Sequence, residues 1–141
     1  MKRTLSYLLY TMLLACIVCA CDDNLDITQN YAFDLQVMPY HKTVIQGETM
    51  EVRCRIVKEG NYSGTKYYIR YFTDGKVELR LDDGRVLTPN DLFPLTNDQF
   101  RLYLTSHSTG AQNIDLYIEN SFGQMVRKSV SFSCETVKKE E

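Results

Sequence analysis

From residue 31 onward, apolar and polar positions alternate with a period of two, the signature of half-buried strands. Tyr31, Phe33, Leu35 and Val37 are interleaved with Ala32, Asp34 and Gln36, a run that ends at Pro39. Lys42 to Ile45 predicts a short edge strand, stopped by Gln46-Gly47. Over residues 49–57, Met50, Val52, Cys54 and Ile56 face one way and Glu51, Arg53 and Arg55 the other. A loop over residues 59–64 follows, rich in Gly, Asn and Ser. Residues 65–72 form the densest strand pattern, with Tyr67, Ile69 and Tyr71 against Tyr68, Arg70 and Phe72.

Residues 77–81 and 85–87 flank Asp83-Gly84, which predicts a two-residue hairpin turn because both residues tolerate positive φ. That register sets Asp82 opposite Arg85 and Leu81 opposite Val86, both favourable cross-strand pairs. Asp82-Asp83 is therefore read as turn chemistry rather than a calcium site. Residues 88–96 read as a crossing loop, with Pro89 and Pro94 opposing regular pairing and Phe93 and Leu95 plugging one end of the core. Phe100, Leu102 and Leu104 then alternate with Arg101, Tyr103 and Thr105. After a turn over residues 106–112, Ile114, Leu116 and Ile118 alternate with Asp115, Tyr117 and Glu119. Asn120 to Gly123 turns the chain into a last strand, residues 126–134.

No helix is predicted after the first twenty residues. Abundant Tyr (10) and absent Trp fit a β protein, since strands favour aromatic and β-branched residues. The expectation is an all-β, antiparallel, Ig-like sandwich of seven to eight strands. Tyr117-Ile-Glu-Asn120 followed by Ser-Phe-Gly-Gln124 resembles the last hairpin of Ig-like domains of the polycystic-kidney-disease (PKD) type.

The first twenty residues break the alternation. Lys2-Arg3 precedes an uncharged apolar run from Ser6 to Ala20, the layout of an export signal helix. The run ends in cysteine. Val18-Cys19-Ala20-Cys21 and Leu13-Leu14-Ala15-Cys16 both fit the bacterial lipobox, in which the cysteine accepts a diacylglycerol and the signal is cut before it. Cys21 is the favoured lipidation residue. Cutting there leaves polar Asp22-Asp23-Asn24 at the new end, whereas cutting at Cys16 leaves an apolar stub. An uncleaved membrane helix and plain secretion are the alternatives, because residues 4–21 just reach the length of a span. The division expected is 1–20 signal, 21–30 acidic tether lifting the domain off the membrane, 31–136 one domain, and 137–141 charged tail. Asp22-Asp23 fits either retention at the inner membrane or direction outward; a lipid-anchored envelope protein, at the outer membrane in preference to the inner, is the expected address.

The chain has 16 basic and 18 acidic side chains; removing Lys2 and Arg3 with the signal leaves a balance of −4. An acidic domain is unsuited to holding nucleic acid by phosphate neutralisation, so no direct nucleic-acid partner is expected. Of five cysteines, only Cys54 and Cys134 fall in the domain. Both lie on apolar faces, and two alternatives stand: buried free thiols, or a disulfide that the exported compartment permits. Closing a loop of about 80 residues would contribute roughly 4–4.7 kcal/mol in the chain-entropy model.

Catalytic signatures are missing. His41 and His107 are the only imidazoles, and Ser106 and Ser108 beside His107 are turn neighbours rather than a spatial triad. CxxC, HExxH and Gly-rich phosphate loops do not occur. No catalytic residue, metal or cofactor is expected. One surface does emerge. With Ile69 and Leu116 inward, Tyr68, Arg70, Phe72, Asp115 and Tyr117 point outward, and the strands that carry them are neighbours in an Ig-like sandwich. Tyr and Arg are enriched at protein interfaces, so these five form the candidate partner surface. The plainer alternative is a sheet face covered by loops or the tether, or amphipathic Tyr in an ordinary β protein.

Segments spread along the whole chain carry a family likeness. They are Cys21-Asp-Asp-Asn24 with Leu25-Asp-Ile27, Val37-Met-Pro39, Gln46-Gly47, Glu51-Val-Arg-Cys54 and Tyr68-Ile-Arg-Tyr-Phe72. Further on come Pro89-Asn-Asp91, Pro94-Leu95, Phe100-Arg-Leu-Tyr103 and Asn120-Ser-Phe-Gly-Gln124. In these the chain resembles the TraQ family, small lipoproteins of the transfer operons of conjugative transposons. The resemblance implies association with the DNA-transfer apparatus in the cell envelope. It supplies no catalytic residues. The expected function is a non-enzymatic, membrane-anchored protein that contacts other envelope proteins of the conjugation machinery. The alternative function is a surface module that binds glycan or a recipient-cell ligand.

Overall fold

The computed structural model describes residues 1–15 and 30–139. Helix α1, Lys2–Ala15, lies within the expected export signal. Ten strands follow among the described residues: β1 Phe33–Val37, β2 Thr43–Ile45, β3 Thr49–Lys58, β4 Tyr67–Thr73, β5 Val77–Leu81, β6 Val86–Leu87, β7 Phe93–Leu95, β8 Gln99–Ser106, β9 Gly110–Asn120 and β10 Met125–Glu135. They form two five-stranded sheets, ordered β1-β3-β8-β5-β6 and β2-β10-β9-β4-β7. The all-β sandwich expected from the alternation is present. Its first strand pairs in one sheet and the next segment crosses to the other, as in Ig-like folds.

The inward sets are those the alternation marks. Met50, Val52, Cys54 and Ile56 of β3 meet Tyr67, Ile69 and Tyr71 of β4 and Ile114, Leu116 and Ile118 of β9 in a single core. Ile69 and Ile118 are fully buried, each worth about 1.5–3 kcal/mol relative to exposure. Tyr71 is buried too, and its hydroxyl donates to the Leu87 carbonyl at 3.2 Å, joining the two sheets. The same alternation turns the intervening residues of β4, β9 and β10 outward on the face of the second sheet.

Several expectations are corrected. The sandwich has ten strands rather than seven or eight, and it is not wholly antiparallel, because β2 runs parallel to β10. Proline does not keep residues 93–95 from pairing: β7 joins β4 with Pro94 opposite Tyr68. An edge strand carries a ladder on one side only, so it tolerates the missing N–H. The hairpin after β5 has a three-residue loop, with Arg80 opposite Val86 and Leu79 opposite Leu87. Gly84 takes φ +90° there and its amide bonds to the Leu81 carbonyl. The shift by one residue buries Leu87 beside Leu79 and leaves Val86 exposed; burying the larger side chain decides the register. Strand β1 starts at Phe33 rather than Tyr31. Tyr31 instead lays its ring on Gly60, where a Cβ would overlap it.

The β9–β10 turn is organised by Asn120, which is 2% exposed. Its Oδ1 accepts from the amides of Phe122 (3.1 Å) and Gln124 (2.9 Å). Its Nδ2 donates to Gln124 Oε1 at 3.1 Å and to Asn30 Oδ1 at 3.3 Å. Gly123 completes the turn at φ +83°. At the other end of β9 the buried pair Ser106 and Gln112 closes the β8–β9 turn, with Ser106 Oγ donating to Gln112 Oε1 at 2.9 Å.

Candidate functional site

The five residues marked as a partner surface come together on the outer face of the second sheet. Strand β4 pairs with β9, which sets Arg70 opposite Tyr117 and Phe72 opposite Asp115, with Tyr68 one step along opposite Glu119. Strand β10 continues the rows: Tyr117 faces Arg127 and Asp115 faces Ser129. Tyr117 thus sits between two arginines. The Arg127 guanidinium lies 6.0 Å from its ring centroid, within reach of a cation–π attraction. Phe72, 40% exposed, meets the same ring edge to face, with centroids 5.5 Å apart and planes at 85°. The two rings therefore make a ridge rather than a flat platform.

Asp115 is the polar hinge of this face. It takes hydrogen bonds from Ser129 Oγ, from Arg127 Nη2 at 2.9 Å and from Asn113 Nδ2 at 3.1 Å. These hold its carboxyl below the usual carboxylate range, the Ser129 bond contributing most and partial burial opposing it. The pairing raises Arg127 in turn, chiefly through the Asp115 bond. Arg70 is only half-buried, yet its Nε is shielded from solvent and has no hydrogen-bond partner. A shielded guanidinium nitrogen without a partner is costly.

The other candidates stay apart. His41 and His107 are exposed on separate loops. His107 bonds through its backbone, its amide to the Lys76 carbonyl and its carbonyl to Gln46 Nε2. Among the described residues, no three His, Cys, Asp or Glu side chains converge as a metal site. Cys54 lies on β3 and Cys134 on β10, in opposite sheets, and both are buried free thiols; the bridge left open by the sequence is not formed. Burial pushes the Cys54 thiol up to about 12. Cys21 lies outside the described residues. Among the described residues no helix is long and apolar enough to cross a membrane.

The model of the TraQ conjugal transfer protein family matches residues 4–135, nearly the whole chain. The chain belongs to this family. Among solved structures, a lipoprotein from Bacteroides thetaiotaomicron shares 46% identity, over 80% of this chain and 88% of that one, with a TM-score of 0.68. A conjugative transposon lipoprotein from Bacteroides eggerthii shares 39% identity, over 73% and 98% of the two chains, also at 0.68. A conjugate transposon protein from Bacteroides vulgatus shares 43% identity, over 79% and 91%, at 0.66. No curated protein matches the sequence.

In this TraQ-family chain, pattern reading misses the residues that guard the open flank of the sandwich. Strand β2 covers β10 only at Ser133–Glu135, so among the described residues the outer edge of β10 from Met125 to Ser131 has no partner strand. At Ser131 the Tyr40 hydroxyl stands in for a strand, accepting from the amide at 3.0 Å and donating to the carbonyl at 3.1 Å. Lys128 shares the inward face with Val130 and Phe132, and its ammonium reaches Asp34 Oδ2 of β1 at 3.4 Å. The other Asp34 oxygen takes the Leu35 amide at 2.8 Å. Charges turned inward and capped edge groups are how sheets resist edge-to-edge pairing. A Lys in an alternating strand is the one visible signal for this device.

Proposed function

We propose that the protein is a non-enzymatic part of a conjugative transfer apparatus, held to the cell envelope by a lipid on Cys21 and acting by protein contact. Membership in the TraQ conjugal transfer family supports the role in transfer. The lipoprotein relatives from Bacteroides support the envelope and the anchor, with the outer membrane as the preferred address. Other envelope proteins of the transfer machinery are the partners, and the contact is the face built from Tyr68, Arg70, Phe72, Asp115 and Tyr117. The observation that carries this assignment is the cluster itself. Tyr117 is flanked by Arg70 and Arg127 and braced by Phe72, with Asp115 already tied into place. A preordered Tyr/Arg face loses little side-chain freedom on binding, and truncating one that acts as a hot spot costs about 2 kcal/mol or more, about thirtyfold in affinity. Edge-to-face rings offer no flat stacking platform, which weighs against the glycan reading.

The test is mating frequency of an element lacking the gene, complemented in turn by wild type, Cys21→Ala, Tyr117→Ala and Arg70→Ala. Restoration by wild type alone is expected, with Tyr117→Ala and Arg70→Ala at normal abundance. Photocrosslinking from position 68 then identifies the partner. Full transfer by the face variants rules out this contact surface, and full transfer without the gene rules out the role.

A further inference from the structure

We propose that the end of the sandwich where the N-terminal segment enters rests on the lipid headgroups, with Tyr31, Tyr62 and Phe122 as its contact residues. This rests on the lipid anchor at Cys21 proposed above. The chain from Cys21 enters the domain at Asn30, which the Asn120 amide holds against the β9–β10 turn. Nine residue-to-residue steps separate the anchor from that point, a reach of about 30 Å at full extension and much less for a relaxed chain. A lipid on Cys21 therefore keeps the entry point within about 30 Å of the membrane.

That end is aromatic. Phe122 sits at the tip of the β9–β10 turn, 40% exposed, with its ring centroid 6.2 Å from Tyr62. Two glycines give the tyrosine rings their seats. A Cβ on Gly60 would overlap the Tyr31 ring, and one on Gly64 would come within 2.8 Å of the Tyr62 ring. Both tyrosines are half-buried, and Phe122 is the exposed ring of the three. Lys66 is exposed beside them, its backbone tied to Ser121 on both sides. Aromatic rings and long basic side chains are the groups that settle at the headgroup level of a bilayer. The opposite end presents Tyr40 with Lys42 over its ring, and the exposed Ile45, rather than a cluster of rings at a turn. Its β8–β9 turn carries Ser106, His107, Ser108, Thr109 and Gly110, and the length of β9 separates the two ends by about 33 Å. Anchoring keeps the aromatic end near the membrane at all times, so weak interfacial contacts suffice to orient the domain. The Tyr68–Tyr117 face then stands upright on the membrane and looks sideways along it.

The chain has no Trp, so Phe122→Trp and His107→Trp each install a single reporter, one at each end. Each full-length, lipidated variant is reconstituted into phosphatidylethanolamine/phosphatidylglycerol vesicles containing brominated phosphatidylcholine. Vesicle flotation is measured first. Expected is a floating chain with indole 122 quenched about twofold and blue-shifted, and indole 107 unaffected. Tyr62→Trp is a second reporter at the same end, should position 122 disturb the turn. A floating chain whose indoles at 122 and 62 are quenched no more than that at 107 overturns this inference alone. A chain that does not float overturns the anchor, and this inference with it.

Discussion

Replacing Asn120 by Ala tests how the β9–β10 turn is held. The side chain is 2% exposed and serves two backbone amides, Phe122 and Gln124, through one oxygen. Alanine leaves both donors without that acceptor and frees the Gln124 side chain. A buried amide left unpaired costs about 1–3 kcal/mol. The turn lies at the surface, where water reaches part of it, so the low end applies to each donor. With the lost side-chain link the total is about 2–3 kcal/mol. For a domain of this size 1 kcal/mol moves Tm by about 4 °C, so Asn120→Ala is expected to melt about 8–12 °C lower. Circular dichroism melting of the purified domain measures this. Asn30→Ala is the companion variant. It removes only the 3.3 Å bond from Asn120, and its expected shift is under about 2 °C. An Asn120→Ala shift as small as that of Asn30→Ala would refute the view that the two turn amides depend on this side chain.

Lys128→Val removes the inward charge from the open edge of β10. The Lys128–Asp34 pair is exposed, so stability is expected to change by less than about 1 kcal/mol while the variant self-associates through the uncovered edge. Light scattering after gel filtration checks this, and a monomeric variant at high concentration contradicts the guarding role. The two domain thiols give a further prediction. Native protein at pH 8 resists iodoacetamide at Cys54 and Cys134, and both react once guanidinium unfolds the chain without reductant. Failure to react after unfolding would mean a disulfide. The Cys54 shift also sets a pH dependence. Its folded value, about 12, lies above the ordinary 9.0, so the unfolded chain loses its proton first and stability falls as pH rises from 9 toward 12.

Alternation by two was sufficient to read β3, β4, β8 and β9 with their inward faces, because each strand has one wet and one dry side. The same parity placed Tyr68, Arg70, Phe72, Asp115 and Tyr117 on one surface once β4 and β9 were taken as neighbours. Parity does not give register. Whether Val86 or Leu87 turns inward depends on which fills the core better, a question of packing that no local pattern answers. The pairing of β7 around Pro94 was hidden for a similar reason, since only an edge position makes it tolerable. The roles of Asn120 and Lys128 were not legible because they depend on what stands across from them, although a turn at Asn120 and a Lys in an alternating strand were. A polar residue at a strand end reads as solvent-facing until the amides it serves are in view.

The way β1 is joined to the sandwich has a mechanical consequence. A pull on the N-terminal segment runs along the axis of β1, whose five residues from Phe33 to Val37 lie antiparallel against β3. Drawn lengthwise, the rungs of that pair are strained together, in shear, and none can be peeled ahead of the rest. The parallel β2–β10 pair stands behind it on the other sheet as a second catch. Held by its N-terminus while a partner grips the outer face of β4, β9 and β10, the domain resists tugging along the one direction in which its own chain would transmit it.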